Sequence, residues 1–79
     1  MANATLCELR SQDQSGVITS LALDDSLQAC LFDYGFVPGT EVSFVAKAPF
    51  GGPMSFKIRD GKVAIRQDVA ARIFVEISD

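Results

Sequence analysis

Apolar and polar residues alternate with a period of two along much of the second half of this chain, and that period restricts it to strands showing one face to a core. In "EVSFVAK" Val42, Phe44 and Ala46 share one face, opposite Ser43, Val45 and Lys47; in "MSFKIR" Met54, Phe56 and Ile58 oppose Ser55, Lys57 and Arg59. "VAIR" continues with Val63 and Ile65 inward, and Ile73, Val75 and Ile77 alternate with Phe74, Glu76 and Ser78 near the end. Between two of these runs stands Asp60-Gly61, a pair favoured in two-residue hairpin turns. Earlier, "VITSLAL" is rich in β-branched residues and predicts a further core strand, while Thr5 to Arg10 predicts a short strand or extended arm.

One segment keeps a helical period instead. Leu27, Cys30, Leu31 and Tyr34 fall at i, i+3, i+4 and i+7, which predicts an amphipathic helix near 25–34 with Gln28 and Asp33 pointing away. Asp24 or Asp25 can accept from the free N–H groups of its first turn, and Gln28, three residues after Asp25, can reach back as in a capping box. Gly35 supplies the left-handed residue that ends a helix, with Phe36 placed for the accompanying apolar contact. In "VPGT", Pro38 and Gly39 occupy the second and third positions of a type II turn. "QDVAAR" predicts one helical turn near 67–72, opened by Asp68.

These elements predict a mainly β domain of about five strands with one inserted helix, closed into a small barrel or strongly bent sheet. A flat sheet would leave edges and half the core uncovered. At 79 residues the chain holds one such domain, 1–79, and buries roughly 60 to 65% of its unfolded surface. Its net charge of −3 argues against non-specific attachment to nucleic acid or an anionic membrane. No apolar run reaches membrane-span length and "MANATLCELR" lacks the pattern of a signal peptide, so a cytoplasmic location without membrane insertion is expected.

Catalytic chemistry has little to stand on in these residues. There is no histidine, and Asp24, Asp25, Asp60 and Asp68 all read as cap or turn residues. Cys7 and Cys30 form no C-x-x-C pair and read as small buried apolar residues. No metal-ligand cluster and no phosphate-binding P-loop can be traced, so neither a metal site nor a cofactor is expected. Lys47, Lys57, Arg59, Lys62, Arg66 and Arg72 gather in the second half, where Glu41, Asp60 and Asp68 interrupt them. They read as a solvated outer face; a nucleic-acid or protein contact on that face is the alternative, and nucleic acid would want stacking aromatics that only Phe74 could offer.

The candidate contact surface is "APFGGP". Pro49 and Pro53 stiffen the arms of a hairpin, Gly51-Gly52 makes the reversal, and Phe50 is held near the tip. It either folds back as a staple over the barrel mouth or projects as an anchor for a partner. Phe32 and Phe74 lie on the outward phase of their elements; each is expected to pack against a neighbouring element, and the alternative is an apolar contact surface shared with Phe50. Edge strands leave self-association open as well.

In order and spacing, "GVITSL", "LFDYGFVPGTEV", "KAPFGGPMSFKI" and "GKVAIRQDVAARIFVEI" resemble the FeoA family, the small cytoplasmic component of bacterial ferrous iron uptake. The resemblance is strongest over 15–77. Its most specific parts are Leu31 to Val42, with Gly35, Pro38 and Gly39, and the loop framed by Pro49 and Pro53. The resemblance implies an SH3-like barrel and a non-enzymatic accessory role on the cytoplasmic, GTP-hydrolysing part of the FeoB transporter. The C-terminal domain of iron-dependent repressors shares that fold, but no helix-turn-helix precedes the domain in this sequence.

Overall fold

The β-rich pattern resolves into one antiparallel sheet of six strands in the computed structural model, which describes residues 2–11, 14–59 and 61–78. The strands are β1 (Ala2–Thr5), β2 (Ser15–Leu21), β3 (Glu41–Lys47), β4 (Met54–Ile58), β5 (Gly61–Ile65) and β6 (Ile73–Ser78), in the order β1-β6-β2-β3-β4-β5. Helix α1 (Asp25–Asp33) lies between β2 and β3, and α2 (Gln67–Ala70) between β5 and β6. Ala4 and Ile65, on strands at opposite ends of that order, belong to one core with Phe36, Val42, Phe56 and Val75. The sheet therefore curls. A 3₁₀ turn at Leu6–Glu8 packs against α2 where its two ends approach.

Thr5 to Arg10 is not the expected strand. β1 ends at Thr5, and the chain turns so that Leu6 and Leu9, both fully buried, enter the core from one side. Strand count rises from about five to six because the residues before Thr5 pair with β6, Ala4 opposite Val75. A second correction falls on β3. Val42 and Phe44 are buried as the alternation predicts, but Ala46 is exposed. Phe44 faces Phe56 and Ala46 faces Ser55, leaving Val45 without a partner of its own. That bulge inserts one residue and reverses the inward phase beyond it.

Helix α1 departs from its predicted stripe. Leu31 is buried and Leu27 half-buried, whereas Cys30 and Tyr34 are exposed. Gln28, expected to point away, turns inward and donates its amide to the carbonyls of Leu21 and Leu23 at 3.1 and 2.9 Å. It ties the helix to the end of β2 where an apolar residue would leave two carbonyls unserved. The N-cap is Asp24, whose carboxylate accepts from the Leu27 N–H at 2.8 Å; Asp25 is the first helical residue and there is no capping box with Gln28.

At the other end the prediction holds. Gly35 has φ +101°, its N–H donates to Phe32 O, and the Phe36 N–H donates to Leu31 O. These two bonds make a Schellman motif, and the paired apolar residues, Leu31 and Phe36, are both in the core. Val37 to Thr40 form the type II turn, with Gly39 at φ +95° and the Thr40 N–H donating to Val37 O at 3.1 Å.

The last hairpin is shifted by one residue from its predicted place. Ile58 pairs with Gly61, so Arg59 stands in the turn and Gly61 begins β5. Asp60 lies outside the described residues. Arg59 takes φ +54°, a left-handed conformation rare for a long side chain, and its guanidinium arm covers Gly35. A Cβ on Gly35 would stand 3.0 Å from Arg59 Nε and 3.1 Å from Cδ. Gly35→Ala is therefore expected to cost about 1–2 kcal/mol, from the left-handed backbone and the displaced arginine. Urea unfolding checks this; a cost near zero would mean that the cap rearranges freely.

Candidate functional site

Two short reversals flank β4, and each sets an unusual side chain in the open. Before β4, Ala48 N–H donates to Pro53 O at 3.0 Å and Gly52 N–H to Pro49 O at 3.2 Å, closing a tight turn with Phe50 and Gly51 at its centre. Both central residues have positive φ, +60° and +76°. The reversal is thus made by Phe50-Gly51 rather than by Gly51-Gly52. Gly52 has a different duty: a Cβ there would meet the Ala48 Cβ at 2.7 Å, so only glycine lets the two arms close. Its carbonyl accepts from Gln67 Nε2 at 2.9 Å, which moors the loop to the start of α2.

The question left open by the sequence about Phe50 has a definite answer. Its side chain is 104% exposed and covers nothing. The staple reading is overturned, because positive φ at the tip of so short a turn directs the ring away from the barrel. A left-handed aromatic with no buried area contributes no packing and carries a backbone cost of about 1–2 kcal/mol. Pro49, Gly51 and Pro53 beside it are also exposed.

Phe32 at 43%, Tyr34 at 55% and Phe74 at 39% are the other exposed large apolar residues among those described. Phe32 lies on the outer side of α1, away from the loop in sequence and element, and no aromatic pair joins it to Phe50 among the described residues. Phe74 lies between Thr5 on β1 and Ser20 on β2 in the sheet register. Cys30 is exposed and Cys7 half-buried against the core; both thiols are free, so the expectation of two buried cysteines fails for Cys30.

After β4 comes the second feature, a polar cleft of about 420 Å³ lined by Thr40, Glu41, Ser43, Lys57 and Arg59. Ser43 stands directly across from Lys57, and Lys57 across from Lys62, on the outward phase of β3, β4 and β5. This is the basic face expected from the sequence, but narrower: Arg66 is engaged with Asp68 at 3.3 Å, next to α2. None of the four exposed aromatics lies on these three strands. The sequence could not show the cleft, since Arg59 enters it through a left-handed turn that no residue type there announces. Among the described residues, no His, Cys, Asp or Glu group is placed to hold a metal ion, and no helix is long and apolar enough to cross a membrane.

Comparison with known proteins gives these features a setting. Residues 5–77 match the family model of the FeoA domain. No curated protein matches the chain. Among solved structures, FeoA of Stenotrophomonas maltophilia, a prokaryotic SH3 domain protein complexed with zinc, is 34% identical over 91% of this chain and 88% of its own, with a TM-score of 0.75. Iron(II) transport protein A of Clostridium thermocellum is 33% identical over 92% of this chain and 44% of its own, with a TM-score of 0.85. A manganese-dependent transcriptional repressor in complex with manganese superposes at a TM-score of 0.86 and 18% identity, over 99% of this chain and 38% of its own, a likeness of fold alone. The rolled six-stranded sheet is thus an SH3-like fold.

Because Phe50 buries nothing and occupies a left-handed position, Phe50→Asn is expected to leave stability unchanged or raise it by about 1 kcal/mol, as asparagine tolerates that conformation. Thermal or urea unfolding reads the difference; a loss of several kcal/mol would show the ring packed on the barrel in solution.

Proposed function

The chain belongs to the FeoA family, and from that premise we propose that it is a non-enzymatic accessory protein of bacterial ferrous iron uptake, docking on the cytoplasmic, GTPase-bearing part of a FeoB-type transporter. Phe50 is the observation that carries the docking surface: a fully exposed aromatic on a turn closed by two backbone hydrogen bonds. Such a side chain gives up little freedom on binding, and its whole apolar area is available to a partner pocket. Pro49 and Pro53 limit the motion of the arms, and the Gln67 bond to Gly52 fixes the loop on the barrel. Phe32 extends the contact if the partner also reaches α1.

Ferrous iron passes through the transporter in this reading, and nucleotide hydrolysis belongs to the partner. A cytoplasmic location follows from the position of the partner domain. The repressor-like fold adds no DNA-binding role, and the β3–β5 face lacks exposed aromatics for stacking on nucleic acid.

Titration of the purified protein against the soluble cytoplasmic domain of its transporter, with and without guanine nucleotide and ferrous iron, tests the proposal. Binding is expected, with nucleotide dependence showing which transporter state is recognised. Phe50→Ala should weaken it by about 30-fold or more, the loss typical of an interface hot spot. Equal binding by wild type and variant would overturn the anchor, and no binding to the complete transporter in membranes would overturn the docking role.

A further inference from the structure

We propose that the cleft lined by Thr40, Glu41, Ser43, Lys57 and Arg59 binds the phosphate group of a hydroxyl-bearing small molecule. Its volume of about 420 Å³ is that of a small-ligand site, but the lining is charged and polar, so recognition rests on charge and hydrogen bonds rather than apolar burial. Donor-bearing residues line it from two strands and a turn: Ser43 on β3, Lys57 on β4 and Arg59 in the hairpin, with Thr40 just before β3. A carboxylate has two oxygens to offer this set. A phosphate monoester offers three and can satisfy donors arriving from several directions.

Two local costs are concentrated here, and an anion would offset the first. Lys57 and Lys62 are directly opposed across β4 and β5, a like-charge pair that weakens a sheet. Arg59 holds a left-handed backbone, and it and Phe50 are the only non-glycine residues to do so among those described. Its side chain is laid over Gly35, which has no Cβ to obstruct it, and that contact steadies the guanidinium. The single ion pair among the described residues is Arg66 with Asp68, so neither Lys57 nor Arg59 is locked in an ion pair with a described carboxylate, and Glu41 is the one described acid in the cleft lining.

Glu41 narrows the ligand class. Its carboxylate repels a bare phosphate dianion but accepts from a hydroxyl beside the phosphate, as in a sugar phosphate. The site lies at the opposite end of β4 from Phe50, so it does not depend on the docking surface.

Amide chemical shifts of the full ¹⁵N-labelled chain, followed during titration with ribose 5-phosphate, inorganic phosphate, ribose and a glutamate-rich peptide, test the site. Saturable shifts centred on Thr40, Ser43 and Lys57 are expected with ribose 5-phosphate, weaker ones with inorganic phosphate, and none with ribose. Lys57→Gln and Arg59→Asn should each reduce ribose 5-phosphate affinity by about tenfold or more. Arg59→Asn should also melt at or above the wild-type temperature, since asparagine suits the left-handed turn. Glu41→Ala should tighten inorganic phosphate while removing the advantage of the sugar. Shifts scattered over Lys47, Arg66 and Arg72, unchanged affinity in Lys57→Gln, or a response to the acidic peptide alone would overturn the proposal. So would an Arg59→Asn variant that melts well below wild type, because arginine would then be held there for packing.

Discussion

Phe44 and Phe56 face each other across β3 and β4, edge to face with centroids 6.1 Å apart, and the curled sheet closes around the rows they begin. Met54, Phe56 and Ile58, the inward residues of the five-residue β4, are all buried. A strand whose every inward position is committed to the core cannot slip, because a shift of one residue would expose all three. Its two connections must therefore reverse the chain within a few residues. That requirement forces left-handed backbone at Phe50 before the strand and at Arg59 after it. The exposed side chains of Phe50 and Arg59 are consequences of how tightly β4 is held.

This coupling explains why stability and function separate so cleanly on the molecule. Core residues such as Leu6, Phe36, Val42 and Val75 are fully buried and have no route to a partner. Phe50 and Arg59 are exposed and carry a backbone cost; Phe50 covers nothing, and Arg59 covers Gly35. Natural domains concentrate such local conflicts where they act. The helix cap at Gly35 takes part in the same arrangement, because the bare glycine that ends α1 is also the surface on which the Arg59 side chain rests.

Local chemistry was legible wherever a residue type has one dominant physical use. Gly35 and Gly39 end the helix and make the turn as their conformational freedom demands, and the inward phases of β4, β5 and β6 follow the period of two. Reading failed where a single inserted or shifted residue changes a phase. The bulge at Val45 turned Ala46 outward, and the one-residue shift of the last hairpin put Gly61 into β5 and Arg59 into the turn. Gln28 was misread because a polar residue on a short helix points to solvent unless open carbonyls wait nearby. Those of Leu21 and Leu23 did, and only the folded chain brings them there.

The sequence by itself determined a mainly β domain with one helix, the caps and turns that punctuate it, the stiffness of the Pro49–Pro53 loop, and a resemblance specific enough to identify the family. Those are properties of neighbouring residues, set by φ preferences and by the period of apolar positions. Tertiary structure decided that Phe50 projects instead of covering the barrel, that Arg59 meets Gly35, and that Thr40, Glu41, Ser43 and Lys57 share a cleft with it. These outcomes depend on strand register and on the handedness of two reversals. Both are chosen by packing between segments far apart in the chain, and no local pattern encodes them.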